Sequence, residues 1–136
     1  MKTTKCAAAL IDLFATALEI KIVLGRPEVG REKIALPIGS VEFREDAYGV
    51  QRARRLGEVP PAGFSDRFSL LVLARHEAQL LGFVDVLRDL KATRSSLTVE
   101  GSIFTVRWSD TRRATVDAGE AEFDFCLEVE ATVSQS

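Results

Sequence analysis

The chain has 136 residues, of which 46% are hydrophobic and 28% are charged, and its formal net charge is −2 at pH 7. This size and apolar content predict one globular domain with its own core and argue against a disordered chain. The small negative charge gives no overall attraction to nucleic acid or to a membrane surface.

The first part of the chain carries apolar residues at helical spacing, which predicts an amphipathic helix. Its apolar face is formed by Ala7, Leu10, Ile11, Phe14 and Leu18. Thr3 or Thr4 is expected to cap the first turn. The apolar run before Asp12 is shorter than the ~7–15 residues of a secretory signal, so we expect the protein to be made and kept in a cytoplasm.

Two strands and two loops are predicted next. Residues 20–24 form a short β-branched run that ends in a Gly-Arg-Pro turn, and residues 27–33 are polar. Residues 34–45 predict a longer strand, in which Pro37 and Gly39 indicate an edge or a bulge in the first half. Residues 46–66 lack periodicity and predict a long irregular loop, which we expect to be mobile until a neighbouring molecule orders it.

The middle of the chain predicts a central strand followed by a second helix. Residues 68–74 are apolar at nearly every position, which is typical of a strand buried on both faces. Residues 77–91 predict an amphipathic helix. Its apolar positions are Leu80, Phe83, Val84, Leu87 and Leu90.

The remainder of the chain predicts a β-meander. Residues 97–99 and 102–108 form two strands around a tight turn, and residues 109–119 are expected to be a polar turn region. The last strand alternates between an apolar face and an acidic face, which Cys126 interrupts. The apolar face contains Phe123, Phe125, Leu127, Val129, Ala131 and Val133, and the acidic face contains Glu122, Asp124, Glu128 and Glu130.

Together these elements predict a single α+β domain over residues 1–136. The expected sheet is mixed or mostly antiparallel, with two helices packed on one face, in the order α-β-β-β-α-β-β with a possible extra short strand.

No motif for catalysis, for a cofactor or for a metal is found. His76 and Glu77 resemble the start of a zinc-protease motif, but Leu80 occupies the place of the second histidine. Two cysteines and one histidine are too few for a usual zinc site without carboxylates, and Cys6 and Cys126 are interpreted as reduced structural thiols. We therefore expect no catalytic residue, no cofactor and no bound metal.

Pairs of carboxylates are a second kind of candidate catalytic site. Glu42 with Glu45, or Glu128 with Glu130, would be candidates for a general acid and base. Their alternation along strands is more typical of a solvated sheet face.

Three arginines in the long loop are the strongest candidates for a binding role. Arg52, Arg54 and Arg55 can pair with carboxylates or phosphates. We regard them, together with the acidic row of Glu122, Asp124, Glu128 and Glu130, as candidate inter-subunit or DNA-facing contacts. The alternative is a solvated charged loop.

The order of these predicted elements resembles that of the tail terminator, or tail completion, proteins of tailed bacteriophages. The resemblance is carried by residues 7–18, 20–24, 34–45, 68–74, 77–91 and 97–133. It implies a hexameric ring that ends the tail tube, contacts tube and neck proteins, and lets DNA pass through its lumen unread. It also implies a location in the virion tail or neck after assembly in the host cytoplasm, no membrane partner, and no enzymatic activity.

Three other interpretations remain open. One is a small cytosolic enzyme with a carboxylate-based site, and another is a different neck or head–tail joining protein. The third is a nucleic-acid-binding domain that uses the loop arginines with Arg112 and Arg113, although the net charge does not favour it.

Overall fold

The computed structural model describes residues 2–25, 35–46, 64–118 and 121–135, with the backbone alone at 46, 115–118 and 121–123. Within these ranges lie two helices, α1 (Lys2–Leu18) and α2 (Glu77–Thr93). The strands are β1 (Lys21–Leu24), β2 (Ile38–Asp46), β3 (Phe64–Leu73), β4 (Ser96–Val99), β5 (Ser102–Trp108), β6 (Arg112–Ala118) and β7 (Ala121–Gln135).

All seven strands belong to one mixed sheet. Its order is β1-β2-β3-β7-β5-β4, and β6 also pairs with β7. β1 runs parallel to β2, and the other neighbours are antiparallel. The predicted α+β class and element order are confirmed.

β3 lies between β2 and β7, as its apolar sequence predicted. Of its residues Phe68, Leu70 and Val72 point toward the helices, and Leu73 is buried on the other side of the sheet. A strand paired on both edges and buried on both faces needs apolar side chains in both directions. That requirement explains why residues 68–74 lack the alternation seen elsewhere.

β7 is long because it holds two parts of the sheet together. One of its edges pairs with β3 from Cys126 to Gln135. Its other edge pairs first with β6, from Ala121 to Glu128, and then with β5, from Ala131 to Ser134.

Both helices pack on the same face of the sheet, as predicted. The core between the layers includes Leu10 and Phe14 of α1 and Leu80 and Leu87 of α2, each at most 2% exposed. Phe14 also meets the ring of Trp108 edge to face, with centroids 5.8 Å apart. This ring contact ties α1 to β5.

The sequence interpretation was wrong about the segment 109–119. Residues 112–118 form β6, which pairs with β7. Two consecutive arginines open the strand and hide its β character. Each finds an acidic partner, since Arg112 bonds Glu128 of β7 and Arg113 pairs with Glu77 of α2.

The sequence interpretation was also wrong about β2. Its first half is not an edge, because β1 pairs with it on one side and β3 on the other. The bulge lies later, between Phe43 and Glu45. Gly39 has a different role from the expected one: a Cβ there would lie 2.5 Å from Cδ1 of Ile22, so glycine gives that buried side chain room over the strand.

Two further boundaries differ from prediction. α1 begins at Lys2, so Thr3 lies inside the helix and does not cap it. The segment 46–66 was predicted to be loop throughout, but Asp46 belongs to β2 and Phe64–Asp66 belong to β3. The rest of that loop, like the polar segment 27–33, lies outside the described residues, and its expected mobility stays a prediction.

His76 has a defined structural role as the N-cap of α2. Its Nδ1 accepts a hydrogen bond from the backbone N–H of Gln79 at 3.1 Å, which satisfies one of the open donors of the first helical turn. This contact agrees with the structural role expected for the chain's one histidine.

We expect His76→Ala to lower the free energy of unfolding by about 1 kcal/mol, because a capping acceptor is lost. His76→Asn is the matched variant, since its side chain can also accept from the helix, and it should retain most of the stability. Denaturant titration of the three proteins measures this. Equal losses for both substitutions would contradict the capping role.

Candidate interaction surface

The face of the sheet opposite the two helices carries most of the charged residues of the sheet strands, and we call it the helix-free face. In each strand it is formed by the side chains that alternate with the core residues. Its described members on the central strands include Ser40, Glu42, Arg67, Ser69, Glu128, Glu130 and Thr132. Ser40 and Ser69 are buried, while the charged groups remain partly accessible.

Arg67 organises the acidic groups around the middle of this face. Its guanidinium pairs with Glu45 of β2 and lies 3.7 Å from the carboxylate of Glu130 on β7. The bulge in β2 produces the first contact, because it places Glu45 directly opposite Arg67. One arginine thus joins three neighbouring strands.

A second ion pair lies at the β6–β7 ladder. Arg112 Nη2 donates to Oε1 of Glu128 at 3.2 Å, and the two residues are direct register partners. Arg44 and Glu42 form a third contact at 3.7 Å. Partly exposed pairs such as these contribute ~0–1 kcal/mol each, so their main effect is on the charge pattern of the surface.

The predicted acidic row is therefore not a uniform negative strip. Glu128 and Glu130 have arginine partners within the same chain, whereas Asp124 is exposed and has no ion pair or hydrogen bond among the described residues. Buried Cys126 and a register shift of the β6–β7 ladder between Ala114 and Val116 interrupt the row. The side chain of Glu122 is outside the described part.

The other half of the predicted contact also lies outside the described residues, since it consists of Arg52, Arg54 and Arg55. Sequence reasoning did not identify Arg67 as a partner of the row. Arg67 directly precedes the apolar run 68–74, but that position did not indicate its partners, which come from other strands.

The four carboxylates of the candidate acid–base pairs all have arginine partners. Glu45 and Glu130 share Arg67, and Glu128 bonds Arg112. These carboxylates are thus engaged in ion pairs between neighbouring strands. The imidazole of His76 caps α2, which uses its Nδ1 as an acceptor.

Both thiols are buried and free, as expected. Burial raises the pKa of Cys126 to about 12, with a smaller contribution from the charge of Glu128. Burial likewise raises the pKa of Cys6 to about 11, with a further contribution from the charge of Asp66. Protonated, enclosed thiols are poor nucleophiles, so we assign both residues to packing.

Asp66 is a buried carboxylate between β3 and α1. It is 4% exposed, and Oγ1 of Thr3 donates to its Oδ2 at 2.7 Å. The first turn of a helix has open N–H groups and a partial positive charge, which favour a nearby carboxylate. Asp66 therefore anchors the start of α1 to the central strand.

Within residues 2–25, 35–46, 64–118 and 121–135, no group of three or more histidine, cysteine, aspartate or glutamate residues is arranged to hold a metal ion. The helices within the same ranges are too short or too polar to cross a bilayer.

Comparison with known proteins leaves the family of this chain open. No model of a protein family matches it, and no curated protein matches it.

Proposed function

We propose that this protein is a structural subunit of a bacteriophage tail, a tail terminator that closes as a ring on the end of the tail tube and joins it to the neck. One observation carries the proposal: the order of elements and the single mixed sheet with both helices on one face agree with the pattern on which the resemblance rests. The proposed partners are further copies of this chain, the tube protein and a neck protein. DNA passes through the ring without being read, and no catalytic residue is required.

The helix-free face supports a role in assembly. Its carboxylates are joined to arginines across β2, β3, β7 and β6, which gives a mixed-charge surface on the sheet. Surfaces of this kind select partners through complementary charge. Among the described contacts none specifically favours the carboxylate-based enzyme. The alternative function most similar to the proposed one is that of another neck or head–tail joining protein.

The proposal is tested by measuring the mass of the purified full chain with and without tail tubes. A ring subunit is expected to form hexamers alone, or to be monomeric and to assemble when tubes are added. A chain that remains monomeric and fails to bind tubes would overturn the proposal.

The arginines of the long loop provide a second, residue-level prediction. We expect the triple substitution of Arg52, Arg54 and Arg55 by alanine to weaken ring formation while leaving the melting temperature of the monomer nearly unchanged, because the segment predicted as a loop is not expected to contribute to the core. Reversal to glutamate should weaken assembly more, since it replaces attraction for anions by repulsion.

The matched control for these variants is Arg88→Ala, which removes an exposed arginine from α2, where it lies 3.6 Å from Asp85. It should assemble like the parent chain. Normal assembly of the triple alanine variant would show that the three loop arginines are simply solvated.

A further inference from the structure

The two strands at opposite sides of the sheet each have one unused edge within the described residues. β1 pairs with β2 alone, and β6 pairs with β7 alone. The backbone N–H and C=O groups on such an edge can bind another strand, and proteins usually protect or use them. The residues at the two ends of β1, Lys21 and Leu24, have exposed side chains.

The free edges of β1 and β6 lie at the same position along the strand direction. Following the register from strand to strand, Lys21 aligns with Ile38, Leu73, Cys126 and finally Ala114. In the same way Val23 aligns, through Ser40, Leu71 and Glu128, with Arg112. β4, the other outer strand, is displaced along the sheet, because Ser96 aligns through Thr105 and Ser134 with Ser65.

Strand directions make the two edges compatible. β1 and β2 run together, β3 is opposite to them, β7 is opposite to β3, and β6 is opposite to β7. β6 therefore runs antiparallel to β1. If a second copy continues the sheet in the same orientation, its β1 meets β6 as an antiparallel neighbour, which is the more stable kind of pairing.

Side-chain faces and charges also match in this arrangement. Lys21 of the second copy lies opposite Ala114, whose partner Cys126 is followed two residues later by Glu128. Asp124 lies two residues before Cys126, in the register shift where Asp124 and Phe125 of β7 stand against the single residue 115 of β6, and its side chain is exposed. Ala114 is small, and the acidic residues lie ~12 Å from Lys21 along the diagonal of two strand spacings and two residues, a span that extended lysine and carboxylate side chains cover together. Lys21 and Asp124 are both exposed, and each lacks an ion pair among the described residues of its own chain.

We propose that copies of this chain assemble by adding β1 of one copy to the free edge of β6 of the next, with Lys21 facing Asp124 and Glu128 across Ala114. The contact is head to tail, so it leaves a free β1 and a free β6 at the ends and closes when the rotation divides a circle. The inference rests on the proposed function for the expectation of a ring. It adds the surface, the register and the ionic contact that hold the ring together.

A charge exchange tests the ionic contact. Lys21→Glu and Asp124→Lys should each reduce the fraction of assembled chain severalfold in mass measurements, because each places like charges together. The double variant, Lys21→Glu with Asp124→Lys, should recover most of the assembly. The same exchange at Arg88 and Asp85 is the control and should leave assembly unchanged. Failure of the double variant to recover would overturn the ionic contact.

Engineered cysteines test the register independently of charge. Val23→Cys and Arg112→Cys, introduced together, should give ladders of linked chains with a short thiol crosslinker, whereas the buried native thiols should not react. The control variant combines Val23→Cys with Thr98→Cys, which places the second cysteine on β4. It should give no ladder. Linked dimers from Val23→Cys alone would mean that two β1 strands pair with each other, which would overturn the proposal.

The two tests separate this contact from the proposed function. Crosslinked ladders in a chain that never binds tail tubes would support the contact and reject the tail role. Rings that form on tubes without the Val23–Arg112 link would support the tail role and reject the contact. A chain that stays monomeric at its highest soluble concentration, with or without tubes, would reject both.

Discussion

Substitution of Phe14 by alanine is expected to lower the free energy of unfolding by ~3–5 kcal/mol, the range for deletion of a buried aromatic side chain. Phe14 is 1% exposed and joins α1 to the sheet through the core and through the ring of Trp108. A domain of ordinary stability has ~5–15 kcal/mol in total, so the variant should lose a large share of it.

Equilibrium unfolding in denaturant measures the effect, at concentrations where the chain is monomeric. Phe14→Leu should cost much less because it refills most of the space. Ile103→Ala removes an apolar side chain that is 67% exposed on β5 and should change the free energy by less than ~0.5 kcal/mol. If Phe14→Ala were no more damaging than Ile103→Ala, the packing of α1 on the sheet would be wrong.

Alkaline pH is expected to destabilise the protein through its buried thiols, and Cys126 should have the larger effect. Burial raises the pKa of Cys126 from 9.0 to about 12, a difference of about 3 pKa units. The folded state therefore holds the proton more tightly than the unfolded state. The contribution of this proton to the free energy of unfolding is fully present below pH 9 and is lost as the pH rises toward 12. At 1.36 kcal/mol per unit it amounts to roughly 4 kcal/mol.

Comparison with Cys126→Ala isolates this contribution, because lysines and other groups titrate in both proteins. Near pH 7 the parent should be more stable by ~1 kcal/mol, since the variant leaves a small cavity. By about pH 11 the order should reverse, because the parent alone must ionise or expose this thiol. Cys6→Ala should show the same change with a smaller amplitude, as its pKa is raised to about 11. Parallel pH profiles for parent and Cys126→Ala would contradict the burial of this thiol.

Elements whose structure depends mainly on the spacing of their own apolar residues were predicted well from the sequence. The helical faces of α1 and α2 and the double-sided burial of β3 depend on how apolar residues are spaced, and the structure confirms them. The strand predicted at 102–108 shows the expected alternation, since Ile103 is 67% and Phe104 2% exposed.

Elements stabilised by distant partners were predicted poorly. β6 starts with Arg112 and Arg113, which look like a polar turn until Glu128 and Glu77 are brought beside them. Gly39 looked like a weak point in an edge strand, but it makes space for Ile22 from a strand that precedes it in the chain. Thr3 looked like a helix cap, but it bonds Asp66, which lies 63 positions away.

The candidate surface was predicted only in part, for the same reason. The row on β7 was recognised from its alternation, but the ion pairs that neutralise Glu128 and Glu130 come from other strands. Register relations across five strands were also needed to see that Lys21 and Ala114 lie at the same height. Such relations depend on strand order, which residue spacing does not encode.

The most direct measurement of the central claim follows tail tubes as they polymerise from purified tube protein in the presence of the chain. If the chain is a tail terminator, adding it should stop elongation, and electron micrographs should show a ring at one end of each tube. Lys21→Glu should abolish the arrest, and the exchange of Lys21 and Asp124 should restore it. Tubes that elongate at the same rate with the chain present, and that carry no ring, would contradict the account.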